Sequence, residues 1–125
     1  MAEWISRSGA LTEDETIANG KIFGDIFTRL GYNINTISAL AGNAQSESGI
    51  NPGRVEAGGG GGYGIFQWTP KTDLIDACSQ LGLSPYTDGT IQCRCLDGEL
   101  FILRNQWYTT RAFITPYLSS GATYD

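Results

Sequence analysis

Five consecutive glycines, Gly58 to Gly62, stand between a helical pattern and an aromatic strip, and they limit what the chain can build. A glycine run holds no regular element without outside contacts, because glycine gives up more backbone freedom on ordering than any other residue. The chain has 125 residues, 41% of them hydrophobic, and neither flank of the run is long enough to support its own core. The run is therefore a loop inside one domain, residues 1–125, rather than a linker between two. It reads as a mobile lip over a cleft. Around it, residues 43–68 spell NAQSESGINPGRVEAGGGGGYGIFQW. A helix ends near Glu47, Asn51-Pro52-Gly53 has turn chemistry, and an apolar aromatic strip follows the glycines.

Histidine is absent, which removes Cys/His and Ser/His nucleophilic pairs, HExxH zinc sites and any imidazole acid or base. Carboxylates remain for acid-base work, and neither a metal nor a cofactor is implied. The net charge of −5 and the eight scattered Lys and Arg argue against a nucleic-acid partner. No stretch approaches the roughly 20 apolar residues that span a membrane, and MAEWISRSG lacks the pattern of an export signal. Cys78, Cys93 and Cys95 are odd in number without repeated spacing, so they read as reduced, partly buried thiols.

Helical periodicity organises the rest. Residues 13–30 carry Ala18, Ile22, Ile26 and Leu30 on one stripe with Phe23 and Phe27 beside it; Thr12 and Glu15 form a capping box and Gly31 is the stop. Gly20 and Gly24, one turn apart, imply close packing against a neighbouring helix. A second helix is expected from about Thr36, capped by Asn35, to Ser46 or Glu47. A third starts at Thr69-Pro70, as N-cap and first helical residue, and runs to about Leu81 with Gly82 as stop. A fourth spans about Thr90 to Gln106, with Leu96, Leu100, Leu103 and Trp107 on one face. Thr115-Pro116 breaks any helix in the final stretch. The class is α+β and predominantly α-helical, with a short β-hairpin or irregular loop beside a cleft near residues 54–68.

Glu47 lies at about 280° on the helical wheel when Ile37 is set to zero, bordering the buried stripe. Half desolvated and at the negative end of a helix dipole, it is expected to have a raised pKa, the direction a general acid needs near neutral pH. Downstream, Tyr63, Phe66, Gln67 and Trp68 offer aromatic faces and an amide of the kind that stack on sugars and bind N-acetyl groups. Trp68, just before a helix cap, is expected in the core; Tyr63, flanked by glycines, is expected to be exposed. Glycosidic cleavage needs a protonated carboxyl and either a second carboxylate or an internal substrate group at the anomeric carbon. Glu56, nine residues after Glu47, is the candidate for the second.

The sequence AGNAQSESGINPG, a glycine-rich gap, then GYGIFQWTP, resembles the phage tail lysozyme family. DGTIQCRCLDGELFILRNQWYTTRAF resembles its continuation, so the likeness covers roughly residues 15–118. More distantly, the pattern is similar to goose-type lysozymes and soluble lytic transglycosylases. In this family more helix follows, whereas the sequence here stops at Asp125. The resemblance implies a lysozyme-like fold and cleavage of the MurNAc–GlcNAc backbone of peptidoglycan, by hydrolysis or by anhydro-forming transglycosylation. It matches Glu47 to the catalytic acid, Ser48 to the hydroxyl beside it, and Gln67 with the Phe66 backbone to the strip that contacts an N-acetyl sugar. Asn51 and Tyr63 join these as substrate-binding candidates. It further implies peptidoglycan strands and other phage tail proteins as partners, and a place at the tail tip of the virion after synthesis in the host cytoplasm. The alternative is a wall-binding structural module of a phage tail without turnover. A peptidase is left without an obvious nucleophile or metal.

Overall fold

A computed structural model describes residues 3–103. Four α-helices carry the architecture: α1 (Glu13–Arg29), α2 (Ile34–Ser48), α3 (Lys71–Leu81) and α4 (Gly89–Gly98). α1 packs on α2 and α4, and α3 packs on α4. The strip at residues 63–68 passes through the middle, where Ile65, Phe66 and Trp68 join Phe23, Phe27, Leu40, Ala44, Leu74, Leu96 and Leu100 in the core.

Local chemistry sets the helix ends. Thr12 and Glu15 close the expected capping box on α1, and Gly31 follows in the left-handed region. α2 begins earlier than expected, because the cap is Asn33 rather than Asn35: its buried side-chain oxygen accepts from Thr36 N at 2.9 Å. Gly49 ends α2 in the left-handed conformation. α3 stops at Gly82 as expected but starts at Lys71, with Pro70 in the N-cap position and no side-chain cap from Thr69. Asp88 caps α4 through Ile91 N at 3.0 Å. After Gly98 the helix widens into a π-type turn at Glu99–Leu103, which buries Glu99 and Leu100. The part of the expected fourth helix beyond Leu103, with Trp107 and the Thr115-Pro116 break, lies outside the described residues. The close helix packing expected at Gly20 and Gly24 is not found: a Cβ on Gly20 would make only an ordinary contact with Ile50, which follows α2, and Gly24 faces open space.

Of the two forms expected near residues 54–68, a short hairpin or an irregular loop, the irregular loop is present. Among the described residues there are isolated antiparallel bridges, Val55 with Tyr63 and Tyr63 with Trp68, and a short 3-10 turn at Ala57–Gly59. Three buried amides do the work a sheet ladder would do. Asn19 Nδ2 donates to Ile5 O and Ile50 O, both at 2.8 Å, while its oxygen accepts from Ile5 N. Asn51 donates to Arg7 O and Gly9 O, both at 2.8 Å, and accepts from Arg7 N and Gly53 N. Gln92 accepts from Ile65 N at 2.8 Å and donates to Pro52 O and Tyr86 O. Each such bond satisfies backbone that would otherwise be buried unpaired. Together they clamp the N-terminal segment and the loop 50–65 onto the helices. No helix among the described residues is long and apolar enough to cross a membrane.

Candidate active site

Ser48 fixes the end of α2. Its side chain is buried; its hydroxyl donates to Ile65 O at 2.7 Å and accepts from Asn51 N at 3.1 Å. The final turn of the helix is thereby bonded to the centre of the aromatic strip, and Glu47 is held one residue from that junction. Glu47 itself is exposed, which corrects the expectation of a half-desolvated position. On the wheel it falls between buried Thr36, at about 260°, and Leu40, at about 300°, so periodicity does not account for its exposure; it stands in the last turn of α2.

The other sequence candidates divide into framework and surface. Asn51 is fully buried, with its amide engaged by backbone as described above. The Phe66 ring is buried against Phe23 and Trp68, at centroid distances of 5.9 and 5.6 Å. Tyr63 departs from expectation. It is only 8% exposed, packed edge-on to Tyr86 at 5.9 Å, with Lys71 Nζ 4.7 Å above its ring. The flanking glycines let the backbone turn the ring inward rather than out. Burial raises the Tyr63 hydroxyl pKa, partly offset by the Lys71 charge, with Tyr86 adding to the rise. Trp68 is core, as expected, and its indole N–H donates to the buried Glu99 carboxylate at 2.7 Å.

Gln67 and Glu56 face the accessible side. Gln67 is half-buried and has a positive φ of 52°, held by its own amide, whose nitrogen donates to Arg54 O and Gly64 O at 3.0 Å each. Glu56 is half-buried too. The glycine run folds around its carboxylate instead of standing over a cleft as a lip. Glu56 N donates to Gly62 O at 2.9 Å, and Glu56 Oε1 accepts from Gly62 N at 3.1 Å. A Cβ would lie 1.6 Å from Glu56 Oε2 at Gly60 and 2.7 Å from Oε1 at Gly62, so a side chain at either would have to push the Glu56 carboxylate aside. Gly58, Gly59 and Gly61 adopt positive φ, between 79° and 90°.

Sequence reasoning missed Asn19, Gln92 and Glu99 altogether. For Asn19 a signal was present: it stands four and eight residues before Phe23 and Phe27, on the apolar stripe of α1. Gln92 and Glu99 likewise share a face with Cys95 and Leu96 of α4. Among the described residues no three His, Cys, Asp or Glu side chains come together as metal ligands do.

Comparison with known proteins matches residues 18–122 to the family described as phage tail lysozyme. The chain is also 32% identical over 84 residues to Morphogenesis protein 1 of Bacillus phage B103; the match covers 64% of this chain but only 23% of that relative. The matched residues hold the end of α2 with Glu47, the glycine loop and the GYGIFQW strip, the same elements that the Ser48–Ile65 bond joins. The chain belongs to the phage tail lysozyme family.

Proposed function

We propose that this domain cleaves the β-1,4 glycan backbone of peptidoglycan between MurNAc and GlcNAc, with Glu47 as general acid. Family membership carries the reading. Its support within the molecule is the Ser48–Ile65 hydrogen bond, which ties the residue next to Glu47 to the strip that contains Gln67. Because Glu47 faces water in the free chain, a saccharide seated on it supplies the desolvation that a general acid requires. Protonation of the leaving oxygen by Glu47 breaks the bond to the anomeric carbon. Capture of that carbon is completed by water positioned by Glu56, giving hydrolysis, or by the sugar's own acetamido group or 6-hydroxyl, the last giving an anhydro product. Ser48 and Asn51, whose polar atoms are engaged within the chain, serve the site by holding its floor. Tyr63 and Phe66 back the strip, and Gln67 is the amide turned toward the sugar.

The test is release of reducing ends from purified peptidoglycan, with strong loss expected in Glu47→Gln. Since Glu47 is exposed, that variant keeps its fold. A domain carried on the tail of the phage particle fits this use, because an acidic chain has no long-range attraction to an anionic wall. One observation favours a second reading: the relative is named for morphogenesis, and a wall-binding module without turnover would bind glycan yet release no ends.

A further inference from the structure

A groove of about 590 Å³ lies between the start of α1 and the end of α2, a volume of the order that holds a small molecule or a short peptide. Glu13, Thr16, Ile17 and Gly20 line it from α1 at i, i+3, i+4 and i+7, the spacing of one helix face. Gln45 and Gly49 line it from α2, and Leu11 and Ile50 extend the aliphatic wall begun by Ile17. Gln45 stands two residues before Glu47, about 160° away around the helix axis, so the groove is separate from the carboxyl that acts on the sugar. A Cβ on Gly20 would meet Ile50 Cδ1 at an ordinary 3.6 Å. Packing therefore does not require this glycine, which costs α1 about 1 kcal/mol relative to alanine, and its missing side chain leaves open groove. The polar groups are uncommitted. Among the described residues the side chains of Glu13, Thr16 and Gln45 form no hydrogen bond or ion pair, whereas the neighbouring Glu15 is held by Arg7 and Thr12 N. α2 has no basic residue in its last turn, so the negative end of its dipole is not offset where it meets the groove. No Lys or Arg among the described residues lines the groove either.

We infer that this groove binds the stem peptide of peptidoglycan, through the side-chain ammonium of its diamino acid and the methyl groups of its alanines. An alkylammonium matches both parts of the groove: its N–H groups suit the Glu13 carboxylate and the Thr16 hydroxyl, and its methylene chain suits the wall of Leu11, Ile17 and Ile50. The Gln45 amide can donate to a peptide carbonyl and accept from a peptide N–H. An anionic ligand would face Glu13 and the dipole end with no cation to receive it. A hard divalent ion gathers six or more oxygens, commonly from several carboxylates, and Glu13 supplies the groove's one carboxylate among the described residues. Reach is sufficient. Four extended residues span about 13–14 Å, whereas a helix with its side chains is about 10–12 Å across, so a stem whose muramyl sugar sits at Glu47 passes around the end of α2 into the groove. The inference rests on the glycosidase reading for the identity of the polymer, and adds that strands bearing peptides are preferred.

Titration of the whole chain with a synthetic tetrapeptide, alanyl-γ-glutamyl-lysyl-alanine, tests it, with backbone amide chemical shifts as the readout. Shifts are expected at Thr16, Ile17, Gly20 and Gln45. Acetylation of the lysine Nζ is expected to weaken binding about tenfold, the loss of one charge-assisted contact, and Glu13→Gln to weaken it by a similar factor. Gly20→Leu, which suits a helix and sends its side chain into the groove, is expected to abolish the shifts. Asp25→Asn removes an equal charge from an exposed site on α1 and is expected to bind as the parent does. Glu13 is exposed, so its variant keeps the test decisive even where Gly20→Leu fails to fold. Absence of binding overturns the inference. So do equal affinity for the free and acetylated peptides, shifts confined to other parts of the chain, or an equal loss in Asp25→Asn, which would reduce the effect to bulk charge. Cleavage is measured separately on N-acetylated strands with and without their peptides; Gly20→Leu is expected to cut the peptide-free strands as the parent does and the peptide-bearing ones several-fold more slowly. A peptide that does not bind would leave the glycosidase standing on the peptide-free strands, and absence of cleavage would leave the shifts readable.

Discussion

Ser48 donates its hydroxyl proton to the carbonyl of Ile65 at 2.7 Å, so the last turn of α2 and the centre of the aromatic strip share a buried bond. Glu47 and Gln67 lie one and two residues from its two ends. Ser48→Ala strips Ile65 O of this donor and Asn51 N of its acceptor, at a cost of about 1–3 kcal/mol for the unmet polar groups. Denaturant unfolding is expected to show that loss, and turnover is expected to fall several-fold under conditions where the variant is still folded. Unchanged turnover in the folded variant would detach the bond from the placement of Glu47.

The glycine loop separates a steric role from a conformational one. Gly60 has an ordinary φ of −70°, so Gly60→Ala meets only the Glu56 carboxylate, the far end of a movable side chain. Stability is expected to stay within about 0.5 kcal/mol of the parent, as for surface changes generally, while hydrolytic turnover falls because Glu56 is pushed aside. Gly61 sits at φ 90° with open space around it. Gly61→Ala is therefore expected to cost on the order of 1–2 kcal/mol through backbone strain alone. The two unfolding curves and the two activities distinguish these outcomes.

Acid titration isolates the N-terminal tie. Arg7 pairs with Glu15, one of its nitrogens bonding at 3.1 Å, and this hydrogen bond, followed by that from Thr12 N, lowers the Glu15 carboxyl from 4.5 to about 2. A depressed carboxyl contributes stability above its unfolded pKa and loses it as pH falls through the folded one. The pair is exposed, so the contribution is small and screened by salt. Glu15→Gln keeps the capping geometry and removes the charge. Its melting temperature is expected to lie below the parent's at neutral pH, the gap closing as pH drops from about 4.5 to about 2. A gap that persists at the acid end would assign the difference to packing.

The thiols are expected to be silent in the folded chain. Burial, with Asp88 nearby, pushes the Cys93 thiol well up. Its hydrogen bond with Cys78, and then burial, push Cys95 up as well. The same hydrogen bond lowers the Cys78 thiol, but Cys78 is buried as the other two are, and a thiol closed off from solvent is a poor nucleophile. Iodoacetamide at neutral pH is expected to leave the native protein unlabelled and to add three groups after denaturation, as read by intact mass. Prompt native labelling would contradict this burial.

Features decided by near neighbours were legible in the sequence. The Thr12–Glu15 box, the stops at Gly31 and Gly82, and the inward stripe of Phe23 and Phe27 all follow from residues within two turns of one another. Features decided by distant partners were not. Gln92 meets Ile65 and Pro52 across 27 and 40 positions, and that contact, rather than strand alternation, shapes the loop where a hairpin was one of the two forms expected. Tyr63 turns inward because Tyr86 and Lys71 wait for it, and neither adjoins it in the chain. Glu47 has the wheel angle of a buried residue, between Thr36 and Leu40, and its exposure depends on what packs beside the last turn of α2, which periodicity does not report. The glycine run was read as freedom, whereas its folding depends on Glu56, a residue the pattern marked only as a second carboxylate.

Mass spectrometry of digested, purified peptidoglycan separates glycan cleavage from every other outcome. The unaltered chain is expected to release disaccharide-based fragments with their peptide crosslinks intact, their masses showing reducing or anhydro muramyl ends, and Glu47→Gln is expected to release almost none. Undiminished release by Glu47→Gln, or peptide cleavage with the glycan whole, would contradict Glu47 as the acid that breaks the sugar backbone.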